Sequence, residues 1–136
     1  MLRAAERTGA LHDLWEQSEP DASSSSRQER VGVIYRIGEG GYAARALPSE
    51  AYEDTGPCRA AINSAYIPEN AIALIHTQPY FEGGNTPCNN SDYDRSVSGD
   101  DYRALDIIGV DIGVMIDGEG MKFFGNGVET HPRCGY

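Results

Sequence analysis

Ala71-Ile72-Ala73-Leu74-Ile75-His76-Thr77-Gln78-Pro79 opens on a continuous apolar run and ends on polar side chains and a proline. A run this short, bounded by Pro68 and Pro79, reads as a strand buried on both faces, the central strand of a sheet. It delivers His76 at its C-terminal end.

Towards the N-terminus, Val31, Val33, Tyr35 and Ile37 alternate with Gly32, Ile34 and Arg36, which predicts a strand at about 30–37. Gly38-Glu39-Gly40-Gly41 is a turn signal, so 42–47 should return as the hairpin partner. Residues 48–66 are mixed, and Pro57-Cys58-Arg59-Ala60-Ala61-Ile62-Asn63 suits one short helix with Pro57 in its first turn. Leu2, Ala5, Leu11, Leu14 and Trp15 fall on one face of a helix over 1–18, which Gly9 weakens in the middle. Pro20 to Ser26 is a polar break.

Towards the C-terminus, Tyr80 to Val97 is a polar loop rich in Gly, Asn, Asp and Ser, of a length that in compact domains usually carries function. Ser98-Gly99-Asp100-Asp101 reads as a helix start, with Ser98 as N-cap and the acids at the positive end of the helix. Tyr102, Leu105 and Ile108 continue it, and Gly109 stands near its end. Ile112 to Ile116 is another strand, Asp117-Gly118-Glu119-Gly120 a tight turn, and Met121 to Phe124 the returning strand. The order is helix, hairpin, strand, loop, helix, hairpin. It predicts an α+β fold with a mixed or antiparallel sheet flanked by helices, divided as 1–26 helix and linker, 27–127 domain and 128–136 tail.

With 136 residues, 40% of them hydrophobic and 24% charged, the chain suffices for one domain with a real core. Its net charge of −10 repels nucleic-acid phosphates, and its 11 Lys and Arg are scattered rather than gathered into a basic stripe. A nucleic-acid partner is therefore disfavoured, whereas a partner with a basic face is allowed. No apolar run approaches the ~20 residues that cross a bilayer, and Met1 to Arg7 lacks the apolar core of a secretory signal. The expectation is a soluble chain without membrane association. Cys58, Cys88 and Cys134 form an odd set without a C-x-x-C pair, so at least one is free or bonded to another chain. A Cys58–Cys88 bridge is open, and free thiols are the simpler reading.

The chemistry concentrates between Ile75 and Asp101. A catalytic zinc needs a few N or O donors on rigid elements, an open position for water and a nearby carboxylate to move protons. His76 at a strand end and Asp101 at a helix start qualify as donors. Glu29 supplies the carboxylate if the first strand lies beside the one ending at His76. Taken singly, each residue has a plainer reading: a structural histidine, an acid on a capped helix, a solvated charge.

Glu29-Arg30-Val31-Gly32-Val33-Ile34-Tyr35, then Ile75-His76-Thr77-Gln78-Pro79, then Ser98-Gly99-Asp100-Asp101, taken in that order, resemble the JAB/MPN (JAMM-type) metallopeptidases. More narrowly, the chain resembles the JAB-like domains at the C-terminal ends of bacterial polymorphic toxins, from about Arg27 to Phe124. That resemblance implies a JAB/MPN, cytidine-deaminase-like architecture. It implies that His76 and Asp101 are zinc ligands, that Glu29 is the general acid/base and that Ser98 helps to stabilise the oxyanion. The reaction it implies is hydrolysis of an amide or isopeptide bond in a protein or peptide, by an effector that works in the bacterial cytoplasm or is delivered as part of a larger chain, with an immunity protein as its neutralising partner.

Gln78 departs from the pattern, because it stands at the metal-ligand position of a second histidine, where a neutral amide is a poorer donor than imidazole. The spacer between Pro79 and Ser98 is also longer than usual. The domain is then a metal-free relative, a disabled variant of a toxic parent, or a site completed by a loop residue such as Asp92, Asp94 or Cys88. Two alternatives stand beside it. One is a zinc nucleobase deaminase, for which His76-Thr77-Gln78 and Pro87-Cys88-Asn89-Asn90-Ser91 keep the His and first Cys of H-x-E…P-C-x-x-C. The other is a metal-free scaffold or binding module that uses the 80–97 loop, with Tyr80, Phe81 and Tyr93 as contact aromatics.

Overall fold

The structure, a computed structural model, describes residues 9–19, 27–55, 60–79, 99–117 and 120–125, with residues 99–102 described by their backbone alone. The first helix, α1 (Ala10–Gln17), starts at Gly9, whose φ of 71° needs a residue without a Cβ. Gly9 therefore caps this helix rather than weakening the middle of a longer one; residues 1–8 lie outside the described residues.

The strands β1 (Val31–Ile37) and β2 (Gly41–Ala46) form the expected hairpin, and Gly38 and Gly40 take the positive φ angles, 58° and 75°, that close it. After a 3-10 turn at Ser49–Ala51 come β3 (Tyr52–Thr55) and β4 (Ala60–Ile62), paired antiparallel in a separate two-stranded sheet. The short helix expected over 57–63 is thus corrected to a strand at 60–62; residues 56–59 lie outside the described residues. Long-range pairing outweighs the weak local signal here. Tyr52 stands opposite Ile62, Asn63 N–H donates to Ala51 O at 2.8 Å, and Tyr52, Ala60 and Ile62 all pack against the domain core.

Among the described residues there follow a 3-10 turn at Ser64–Tyr66, then β5 (Ala71–Thr77), α2 (Gly99–Ile108), β6 (Ile112–Asp117) and β7 (Gly120–Gly125). The main sheet has the order β2-β1-β5-β6-β7, which puts the Ala71–Ile75 run in the middle as its composition demands. Strands β5 and β6 are parallel and every other neighbouring pair is antiparallel, so the sheet is mixed. A parallel pair needs a long crossover, and α2 lies on it. Gly109, at φ 85°, ends α2 and donates its N–H to Leu105 O at 2.8 Å.

Alternation along the strands gives the sheet two buried faces. On one, Ala10, Leu11 and Leu14 of α1 pack on Ile34, Ala73, Ile75, Val114 and Ile116. A Cβ at Gly32 would stand 2.7 Å from Leu14 Cδ1 and 2.8 Å from Arg45 O, so the bare backbone there lets α1 settle onto β1. On the other face, Leu105 and Val110 pack on Val31, Val33, Leu74, Met115 and Phe124. At the end of α1, the buried Ser18 hydroxyl donates to Leu14 O at 3.0 Å and hydrogen-bonds to Thr77 Oγ1, which also accepts Arg30 N–H at 2.9 Å. This buried polar chain ties α1 to the sheet end where β5 delivers His76. No helix among the described residues is long and apolar enough to cross a membrane.

Candidate active site

The register of β1 against β5 places Val31 opposite His76, and Thr77 N–H donates to Arg30 O at 2.9 Å. One residue further along, Glu29 comes opposite Gln78. The condition set by the sequence, that the first strand lies beside the strand of His76, is met. In the parallel pair, His76 lies beside Met115, and Gln78 N–H donates to Ile116 O at 2.7 Å. Carrying that register on by two residues brings Gln78 beside Asp117.

The faces follow by parity. Leu74 and Met115 point to the α2 side, and so does His76, whose ring meets Phe124 edge-on with centroids 5.9 Å apart. The register brings Asp117, the last residue of β6, and the segments that hold Glu29 and Gln78 to the same end of the sheet as His76. The topology adds α2. Its C-terminal end leads through Gly109 and Val110 into the start of β6, so its first turn, with Asp101, lies at the end of the sheet where β5 and β6 finish. Ser98 and the loop candidates Cys88, Asp92 and Asp94 lie outside the described residues, as do Cys58 and Cys134.

Asp117 is the residue that sequence reasoning missed. Read as the start of a polar turn, it is the last residue of β6, only 1% exposed and paired in register with Gly120. Counting in twos from Gly113 through Met115 would have put it on the α2 face.

The backbone that carries Glu29 is held from the side by β3. Thr55 Oγ1–H donates to Glu29 O at 2.9 Å. The Tyr52 hydroxyl accepts Val31 N–H at 2.6 Å and donates to Val31 O at 3.2 Å. Arg30 lies over the Tyr52 ring at 4.8 Å and donates from Nη2 to Gln28 Oε1 at 2.6 Å. Arg27 Nη1 reaches across to Pro79 O at 3.1 Å, joining the segments that hold Glu29 and Gln78.

Burial raises the Tyr52 phenol above its ordinary value of 10.0, although the Val31 backbone hydrogen bond and the Arg30 charge pull the other way. A phenol whose folded pKa is raised contributes stability that is present below pH ~10 and is lost as pH rises through the folded value. Tyr52→Phe, which also strips Val31 of two hydrogen bonds, should therefore cost about 1–3 kcal/mol at neutral pH. The difference between the two chains should shrink in urea titrations taken above pH ~10, and a difference constant with pH would contradict a buried, protonated Tyr52.

Among the described residues no group of three or more His, Cys, Asp and Glu side chains is placed to hold a metal. The imidazole of His76 and the carboxylate of Asp117 are donor types that zinc accepts, and the amide of Gln78, 8% exposed, is a poorer one. Comparisons of this chain with protein-family models, curated proteins and solved structures find no match.

Proposed function

We propose that this chain is a JAB/MPN-like domain of the toxin or effector type, whose chemistry is zinc-dependent hydrolysis of an amide or isopeptide bond, weakened where Gln78 replaces an imidazole. The observation that supports this reading is the placement of Glu29, His76 and Gln78 at one end of the sheet, with the first turn of α2 at that same end. These are the parts that the sequence pattern names, brought together by strands far apart in the chain.

In this reading His76 and Asp101 would hold a zinc ion, which would supply an acidified water at neutral pH. Glu29 would accept a proton from the attacking water and hand it to the leaving amine, on a backbone that the β3 contacts to Glu29 O and Val31 hold in place. Ser98 donates to the oxyanion. The substrate is a protein or peptide. The net charge of −10 suits a neutralising partner with a basic face, in the manner of an immunity protein. The deaminase alternative needs its histidine at a helix start, and His76 lies inside β5.

The test is zinc affinity, by competition with a chromogenic chelator, of the chain and of Gln78→His. An imidazole at 78 should tighten binding at least about tenfold, since even partners behind the metal ligands are worth that much. Added Glu29→Gln should then abolish peptide hydrolysis while leaving zinc in place. Two folded proteins that both ignore zinc would overturn the reading and leave a metal-free binding module.

A further inference from the structure

Gln78 is 8% exposed, yet among the described residues its side-chain amide meets no hydrogen-bond partner. Only its backbone is engaged, with its N–H donating to Ile116 O at 2.7 Å. A buried amide left unpaired costs stability, so folded proteins keep few of them, and those that remain call for a ligand or a bound water. The segment that carries it is held firmly, by that Ile116 bond on one side and by Arg27 Nη1 on Pro79 O at 3.1 Å on the other. Its place in the fold is a second, separate pointer. Gln78 follows β5 directly, at the carboxyl ends of the parallel strands β5 and β6, where the first turn of α2 also lies. In sheets with helical crossovers, that end of the parallel strands is where ligands are taken up.

We infer that Gln78 is a substrate-binding residue, whose carboxamide takes up a peptide group of the ligand through a pair of hydrogen bonds. Its Nε2–H donates to the ligand's carbonyl oxygen and its Oε1 accepts the ligand's N–H. The chemistry of the side chain selects that ligand. A carboxamide is neutral and sets a donor beside an acceptor, as a peptide group does. An anion would leave Oε1 facing another acceptor, and the chain's net charge of −10 repels it besides. A cation would leave the Nε2 donors unpaired. The inference rests on the hydrolase reading above only in naming the ligand a peptide, and it deepens that reading. It accounts for an amide where a metal would prefer an imidazole, because the amide serves the substrate.

The experiment follows the side-chain amide resonances of the isotope-labelled full chain, free of metal, while N-methylacetamide, a lone peptide group, is added. The Gln78 pair is identified by its loss in Gln78→Met. It is expected to shift along a saturating curve, whereas the exposed Gln17 drifts in proportion to the additive. N,N-dimethylacetamide has no N–H and leaves Oε1 unpaired, so it should bind about tenfold more weakly. Gln78→Met keeps the length of the side chain and removes the unpaired amide, so its urea midpoint should be no lower than that of the parent. Gln78 resonances that only drift as Gln17 does, or equal binding of the two amides, would overturn the inference. A lower midpoint in Gln78→Met would overturn it too, by showing that the amide is already paired within the fold. Zinc is titrated separately, on the parent and on Gln78→His. Saturation at Gln78 with zinc ignored by both chains would sink the hydrolase reading and leave a peptide-binding module with this residue at its site. Zinc bound without saturation at Gln78 would keep the hydrolase and sink the inference.

Discussion

Gly113→Ala is expected to lower the stability of the fold by about 3 kcal/mol, a large part of the 5–15 kcal/mol that holds a domain of this kind together. A Cβ at position 113 would stand 2.2, 2.5 and 2.6 Å from three ring carbons of Phe124, distances that no packed side chain tolerates. Phe124 cannot simply swing away, because it is 2% exposed and sits in the cluster of Leu74, Leu105 and Met115. Its ring also makes a T-shaped contact with His76, so the displacement reaches the candidate site as well as the core. Urea unfolding of the variant should show a lower midpoint with the slope unchanged. Phe124→Leu in the same chain should recover part of the loss, because the smaller side chain gives up the space that the new methyl needs, and the two effects should not add. A cost under about 1 kcal/mol would mean that Phe124 is not seated over Gly113.

The parts of the fold that were legible in the sequence are those decided by neighbours along the chain. Five apolar residues between prolines give a central strand, Gly38 to Gly41 give a hairpin turn, and Gly109 gives a helix end. The β3–β4 pair was illegible, since Pro57 to Asn63 has the composition of a helix start and its pairing depends on Tyr52 and on a core assembled from distant strands. The candidate site divides in the same way. Glu29, His76 and Gln78 were legible as an ordered pattern, and their adjacency followed once β1 paired with β5. Asp117 was hidden by its own neighbours, because Asp-Gly-Glu-Gly is a turn by every local rule. The alternation of β6 through Gly113 and Met115 puts this aspartate on the α2 face, but its burial depends on what packs there.

That dependence on α2 makes Leu105 the most consequential single contact for the site. Helix α2 has ten residues, too few to persist alone in water, so its position is set by docking rather than by propensity. Among the described side chains of α2, Leu105 is the fully buried one, at 0% exposure in the cluster of Val31, Val33, Leu74 and Met115, while Ala104 and Ile108 flank it. Leu105→Ala should cost about 3–4 kcal/mol, combining lost transfer energy with the cavity left under the helix. Ile107→Ala, two residues away and 73% exposed, should stay within about 0.5 kcal/mol and serves as the control. The functional consequence is directional: α2 carries Asp101 in its first turn, so a loosened helix should weaken zinc binding even though Leu105 itself cannot touch an ion. Measured together, hydrogen exchange should quicken through 103–108 in Leu105→Ala while β5 stays protected. If the two leucine and isoleucine variants proved equally stable, α2 would not be held by this face, and the placement of Asp101 beside the ends of β5 and β6 would have to be abandoned.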